Sequence, residues 1–92
     1  MSHIGDRVVA VIPAFNEAAV LGKVLSAIPS HIGGMEVVPV VVDDGSTDGT
    51  SEIARINGAR CVRHIVNLGV GAATRTGLRA AMNVIDFLDQ QG

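Results

Sequence analysis

The sequence predicts an α/β fold: a parallel sheet with strand order 3-2-1 held between layers of helices. Three observations predict it. Apolar, β-branched runs at Val8–Ile12, Val37–Val42 and, less strongly, Arg60–Ile65 alternate with stretches of helical spacing. That β-α-β-α-β-α order calls for parallel strands joined by right-handed crossovers. Each run also ends in a polar loop, at Pro13–Glu17, Asp43–Thr50 and Val66–Gly71. Open parallel sheets bind ligands outside the carboxyl ends of their strands, so three such loops at one rim make a binding crevice. Finally, 92 residues at 48% hydrophobic and 17% charged make one packed domain, 1–92, with no internal repeat or linker.

Composition excludes several classes of function. Phe15 and Phe87 are the only aromatics, so the stacking platforms of single-strand binders are missing. A net charge of −2 argues against a polyanion partner, and no nucleic acid is expected. The one cysteine, Cys61, precludes an internal disulfide and reads as a small buried hydrophobe in a reducing, cytoplasmic protein. No run approaches the roughly 20 apolar residues of a membrane span.

In chain order, Val8–Ile12 is a strand buried on both faces, closed by Pro13. Asn16-Glu17 offers a cap and a first-turn acid to a helix whose Val20, Leu21, Val24, Leu25 and Ile28 share a face. Pro29 ends it, and Ser30–Gly34 is a loop with His31 exposed. Val37–Val42 is the second strand, with its hydrogen-bonded part expected after Pro39. Asp48 caps a helix that stops at Asn57-Gly58. Arg60–Ile65 is a third strand nearer an edge, and a last helix carries Leu78, Met82, Ile85 and Leu88 at helical spacing.

The chemistry centres on Val40-Val41-Val42-Asp43-Asp44-Gly45-Ser46-Thr47-Asp48-Gly49-Thr50. Neighbouring residues on a strand face opposite ways, so Asp43 and Asp44 cannot share one task. One can hold the turn while the other reads a ligand through charge-assisted hydrogen bonds. Asn16 and Glu17 project over the same rim and suit the vicinal hydroxyls of a ribose. The Asn67–Gly71 turn leads into a helix whose free N–H groups favour anions, with Arg75 and Arg79 one turn apart on it. The first loop lacks the glycines of a dinucleotide fingerprint, and no Walker loop occurs. Asp44, Ser46, Asp48 and Gly49 mimic the start of a calcium-binding loop, but its twelfth position would be Arg55, which cannot ligate.

Three motifs, Val11-Ile12-Pro13-Ala14-Phe15-Asn16-Glu17, Val41-Val42-Asp43-Asp44-Gly45-Ser46-Thr47-Asp48-Gly49-Thr50 and Asn67-Leu68-Gly69-Val70-Gly71-Ala72-Ala73 with Gly77, resemble the N-terminal half of a family 2 glycosyltransferase of the Rossmann-like GT-A fold. Within the family the flavour is nearest to dolichol- or polyprenyl-phosphate sugar transferases. The resemblance implies transfer of a sugar from a UDP-, GDP- or dTDP-sugar, with this chain holding the donor-nucleotide-binding part. Pro13, Ala14, Phe15, Asn16 and Glu17 would line the nucleotide. Val42 and Asp44 would meet the base, Asp44 accepting from a ring N–H, while Asp43 organises the turn. Asn67, Gly69, Gly71 and Arg75 would close from the other side.

The family uses Mg²⁺ or Mn²⁺ on an Asp-x-Asp motif that this sequence lacks. The expectation is therefore a fragment, inactive alone, with that motif and the acceptor half beyond Gly92. The acceptor would be of the polyprenyl-phosphate kind, met at the membrane face. A missing fourth strand would leave Val8–Ile12 as an apolar edge prone to self-association. The alternatives are a non-catalytic nucleotide-binding or regulatory module and, less favoured by the acidic first loop, a sugar-phosphate nucleotidyltransferase.

Overall fold

A computed structural model describes residues 7–91, with side chains described through Val84. The elements are β1 (Arg7–Ala14), α1 (Ala18–Ala27), β2 (His31–Ile32), β3 (Met35–Asp43), α2 (Thr50–Ile56), β4 (Arg60–Arg63) and α3 (Val70–Gln91). The three long strands are parallel and ordered β4-β3-β1, as the alternating pattern requires. The sheet is nevertheless mixed, because the two-residue β2 runs antiparallel to the start of β3. β1 takes one edge of β3 from Glu36 to Asp43, so β2 and β4 share the other, β2 beside Met35–Glu36 and β4 beside Val40–Asp43.

Several expectations about boundaries are corrected here. Ser30–Gly34 is not all loop: Gly33 (φ 55°) and Gly34 (φ 79°) form a two-residue hairpin turn that returns β2 onto β3. Pro39 does not delay the second long strand, which is paired from its start. The Val37 N–H bonds the Ser30 carbonyl on the β2 side, so Pro39, two residues on, turns its nitrogen to that same side. There it meets the unpaired gap between β2 and β4. Pro13 does not close β1 either. Ala14 aims its carbonyl at β3, where it accepts the Asp44 N–H, so Pro13 presents its nitrogen to the open edge and no bond is lost. The third long strand ends at Arg63 and not at Ile65, which is 95% exposed.

Both sheet faces are covered. On one, α1 and α2 pack Leu21, Leu25 and Ala54 with Ala14, Val41 and Ala59. Half-buried Cys61 lies against this cluster, where it was expected to be buried. On the other face, α3 approaches so closely that a Cβ on Gly77 would lie 2.2 Å from Val11 Cγ1 and 3.3 Å from Val42 Cγ2. This explains a second correction: α3 buries its small residues Ala73 and Gly77, with Val84, whereas Leu78 and Met82 are exposed. The side chains of Ile85 and Leu88 lie outside the described residues. On α1, similarly, Val20 and Val24 are exposed while Leu21 and Leu25 face inward. Val40, Val41 and Val42 are fully buried, each contributing on the order of 1.5–3 kcal/mol of transfer free energy.

Candidate nucleotide site

At the carboxyl rim of the sheet, the α1/α2 side is a closed lattice of hydrogen bonds. Asp43 is fully buried and accepts from the Ser46 N–H (2.9 Å) and the Ser51 hydroxyl. Burial alone would raise its pKa, but those hydrogen bonds and the Arg63 charge outweigh it and hold the carboxyl below its ordinary value. The turn then caps α1 from a distance. Ser46 Oγ accepts the Asn16 N–H, Thr50 Oγ1 the Glu17 N–H, and Asp48 Oδ2 the Ala18 N–H. Asp48 also accepts from the Thr50 N–H and hydroxyl, so one carboxylate ties the starts of both helices, although Gly49 and not Asp48 holds the cap position of α2. Its pKa is lowered, chiefly by the Thr50 hydroxyl. Asn16 sits at φ 52°, a left-handed conformation Asn tolerates, and its Oδ1 accepts the Thr47 N–H.

The other side of the rim is built around Asp44, which is 4% exposed. Its Oδ1 accepts from His64 Nδ1 (2.7 Å) and the Leu68 N–H (2.9 Å), and its Oδ2 from the Gly69 N–H (2.9 Å). His64 first, then those amides, hold its carboxyl below the ordinary value against the opposing effect of burial. Gly45 (φ 80°) locks the two loops together, since a Cβ there would lie 2.4 Å from the Val66 carbonyl carbon. Between this assembly and the first loop opens a cleft of about 170 Å³ lined by Pro13, Ala14, Phe15, Glu17, Asp44, Val70 and Ala73.

Of the sequence-predicted site residues, the cleft therefore gathers Pro13, Ala14, Phe15, Glu17 and Asp44. Two others, Val42 and Asn16, lie off the cleft lining, and Asp43 holds the turn as expected. Val42 is fully buried under Gly77 and does not line the cleft. Asp43 faces Ser46 and Ser51 on the closed side and is structural. Asn16 clamps the second loop and does not line the cleft. The Gly69 N–H is taken by Asp44, Asn67 is exposed beside it, and Gly71 and Arg75 stand on the first turns of α3, outside the cleft lining. Sequence reading missed Val70, Ala73 and His64. The first two share the Gly77 face of α3 at i, i+3 and i+7; His64 directly follows Arg63, whose partner in the sheet is Asp43. Register would have found it.

Among the described residues no group of three or more His, Cys, Asp or Glu side chains could hold a metal ion. Asp43 and Asp48 are engaged by N–H and O–H donors and Asp44 by three N–H donors, so these three carboxylates do not fit a divalent cation. No described helix is long and apolar enough to cross a membrane.

The sequence model of glycosyl transferase family 2 matches residues 9–88. An uncharacterized protein of Methanocaldococcus jannaschii is 44% identical over 77 residues, which are 84% of this chain and 30% of that protein. An uncharacterized glycosyltransferase of Mycobacterium tuberculosis is 36% identical over 89 residues, 96% of this chain and 38% of that one. The chain thus spans about a third of the length of the curated relatives it matches. Among solved structures, M. tuberculosis glucosyl-3-phosphoglycerate synthase superposes with a TM-score of 0.56 at 37% identity, over 64% of this chain and 22% of that one. The same enzyme in complex with uridine diphosphate gives 0.55 at 38% identity, over 64% and 21%. Its fold is thus similar to GT-A glycosyltransferase structures, and the motifs at the rim lie inside the matched span: this chain belongs to glycosyl transferase family 2.

Proposed function

We propose that the chain is the donor-nucleotide-binding part of a glycosyltransferase that moves a sugar from a nucleotide-diphosphate sugar to an acceptor. The observation that carries the proposal is the state of Asp44 in the cleft. An ionised carboxylate offers about four acceptor positions and no donor. Three are taken by His64, Leu68 and Gly69, which leaves one on Oδ2 beside Ala14, Phe15 and Ala73. A pure acceptor in an apolar cleft takes an N–H, which uracil, thymine and guanine carry on the ring. Cytosine and adenine present a lone pair at the equivalent ring position and would be repelled.

Pro13 and the half-exposed Phe15 offer apolar surface to such a ring. At about 170 Å³ the cleft suits a base, with the sugar-phosphate leading outward past Glu17, whose carboxylate can accept from ribose hydroxyls. The first turn of α3, with Arg75 on its second turn, favours the diphosphate. UDP binding by the M. tuberculosis synthase supports a uridine nucleotide as the first candidate. Mg²⁺ or Mn²⁺, where the reaction uses it, belongs to residues outside those described.

Calorimetric titration tests the reading. UDP or GDP should bind, CDP and ADP should bind about ten-fold or more weakly, and Asp44→Asn should remove most of that difference. Equal affinity for all four nucleotides, unchanged in Asp44→Asn, would overturn it.

A further inference from the structure

His64 enters the nucleotide reading only as one of three donors to Asp44, yet its side chain is 11% exposed and both ring nitrogens are engaged. Nδ1 lies 2.7 Å from Asp44 Oδ1 and Nε2 2.7 Å from Thr76 Oγ1, one turn along α3 from Ala73. The acceptor-only carboxylate assigns the proton to Nδ1, and in the neutral ring Nε2 then accepts the Thr76 hydroxyl. A chain Thr76–His64–Asp44 therefore runs from the second turn of α3 to the cleft.

Among the described residues, no other side chain hydrogen-bonds the loop that Asp44 holds. Ile65 is 95% exposed, Val66 59% and Leu68 58%, so no apolar side chain of the loop is buried. What fastens it is the pair of N–H bonds from Leu68 and Gly69 to Asp44, with the backbone contact at Gly45. Each of those amides holds one oxygen of the carboxylate, and His64 adds a third donor, on Oδ1, from a different element. With Oδ1 doubly occupied, the remaining acceptor position stays on Oδ2.

We infer that His64 is a positioning residue of the nucleotide site: oriented by Thr76, it fixes the Asp44 carboxylate and, through it, the Leu68–Gly69 turn at the mouth of the cleft. The inference rests on the proposed nucleotide reading for its ligand and on the hydrogen-bond chain alone for its geometry. Its test therefore has two arms, amide hydrogen exchange at Leu68 and Gly69 without nucleotide, and calorimetric affinity for UDP against CDP.

His64→Leu removes both bonds; His64→Asn keeps an amide donor near the position of Nδ1; Thr76→Val cuts only the far end. His64→Leu should speed exchange at both amides by about ten-fold or more and weaken UDP by a similar factor, narrowing its preference over CDP. His64→Asn should recover most of both, and Thr76→Val should lose about two- to three-fold in each. A lower Tm in His64→Leu with exchange and UDP affinity unchanged would reduce His64 to packing and overturn the inference. Should His64→Leu fail to fold, unchanged exchange and affinity in Thr76→Val would overturn it equally. If the unmodified protein binds neither UDP nor GDP, the nucleotide reading falls, while the exchange arm still decides whether His64 holds the turn.

Discussion

Asp43 and Asp44 are adjacent, chemically identical and both nearly inaccessible, yet the two sides of the sheet use them differently. On the α1/α2 side, Asp43 meets only donors from its own turn and α2, and the surrounding lattice interlocks the first two loops. On the α3 side, Asp44 reaches a loop more than twenty residues away and still borders open space. The comparison teaches that burial alone does not separate a carboxylate that only holds a turn from one that also borders a cleft. What separates them is whether the donors come from the group's own turn and the helix after it or from a distant loop beside an open cleft.

Gly45, where the two sides meet, is the place to break this arrangement most severely. Gly45→Ala adds a clash with the Val66–Asn67 backbone to a left-handed φ of 80°, and we expect a loss of about 3 kcal/mol or more. Denaturant melts should show it as a fall in midpoint without a fall in slope. Next in size, Asp43→Ala strands the Ser46 N–H and the Ser51 hydroxyl in a buried site and should cost about 2–3 kcal/mol. Nucleotide affinity of the folded fraction should be unchanged in that variant. Asp44→Asn should do the reverse, with nucleotide affinity the larger loss. If both variants lose stability and affinity in the same proportion, the division between the sides is wrong.

A smaller effect sharpens the comparison through pH. Asp43, Asp44 and Asp48 all have pKa values lowered from 3.8 in the folded protein. The unfolded chain then binds more protons below that value, so the stability these groups contribute is present above about pH 4 and is lost as pH falls further. Thermal melts from pH 7 to pH 2 should be flat at first and steepen below pH 4. Asp43→Ala should flatten the acid limb, and a limb of unaltered steepness would count against the assigned hydrogen bonds.

The smallest expected effect concerns the sheet edge. β1 pairs only with β3 among the described residues, and we propose that the 92-residue chain self-associates through this edge. By the alternation that turns Pro13 outward, the Val9 N–H also faces the open side. Val9→Pro should lower the mass seen by light scattering at high concentration while leaving the fold intact. A chain that is already monomeric before the substitution would remove the edge from the account.

Local chemistry was enough to read the order of the three parallel strands and the helices, and the rim, but not the short β2. Apolar β-branched runs, Asn57-Gly58 and the Asp43-Asp44 pair act within a few residues of themselves. Local chemistry also foretold that the two carboxylates would part, because alternation along a strand is a property of the backbone. It could not show that Pro13 and Pro39 are harmless, since that depends on which neighbour each nitrogen faces. Nor could it show that Val42 is roofed by Gly77, that small residues of α3 face the sheet, or that His64 stands beside Asp44. Those facts join positions 20 to 66 residues apart, and only the packed sheet sets them next to one another. The sequence by itself determined which groups reach the rim; the tertiary structure decided which donors each meets there, because a hydrogen bond is chosen by what lies within 3 Å and not by what lies nearby in the chain.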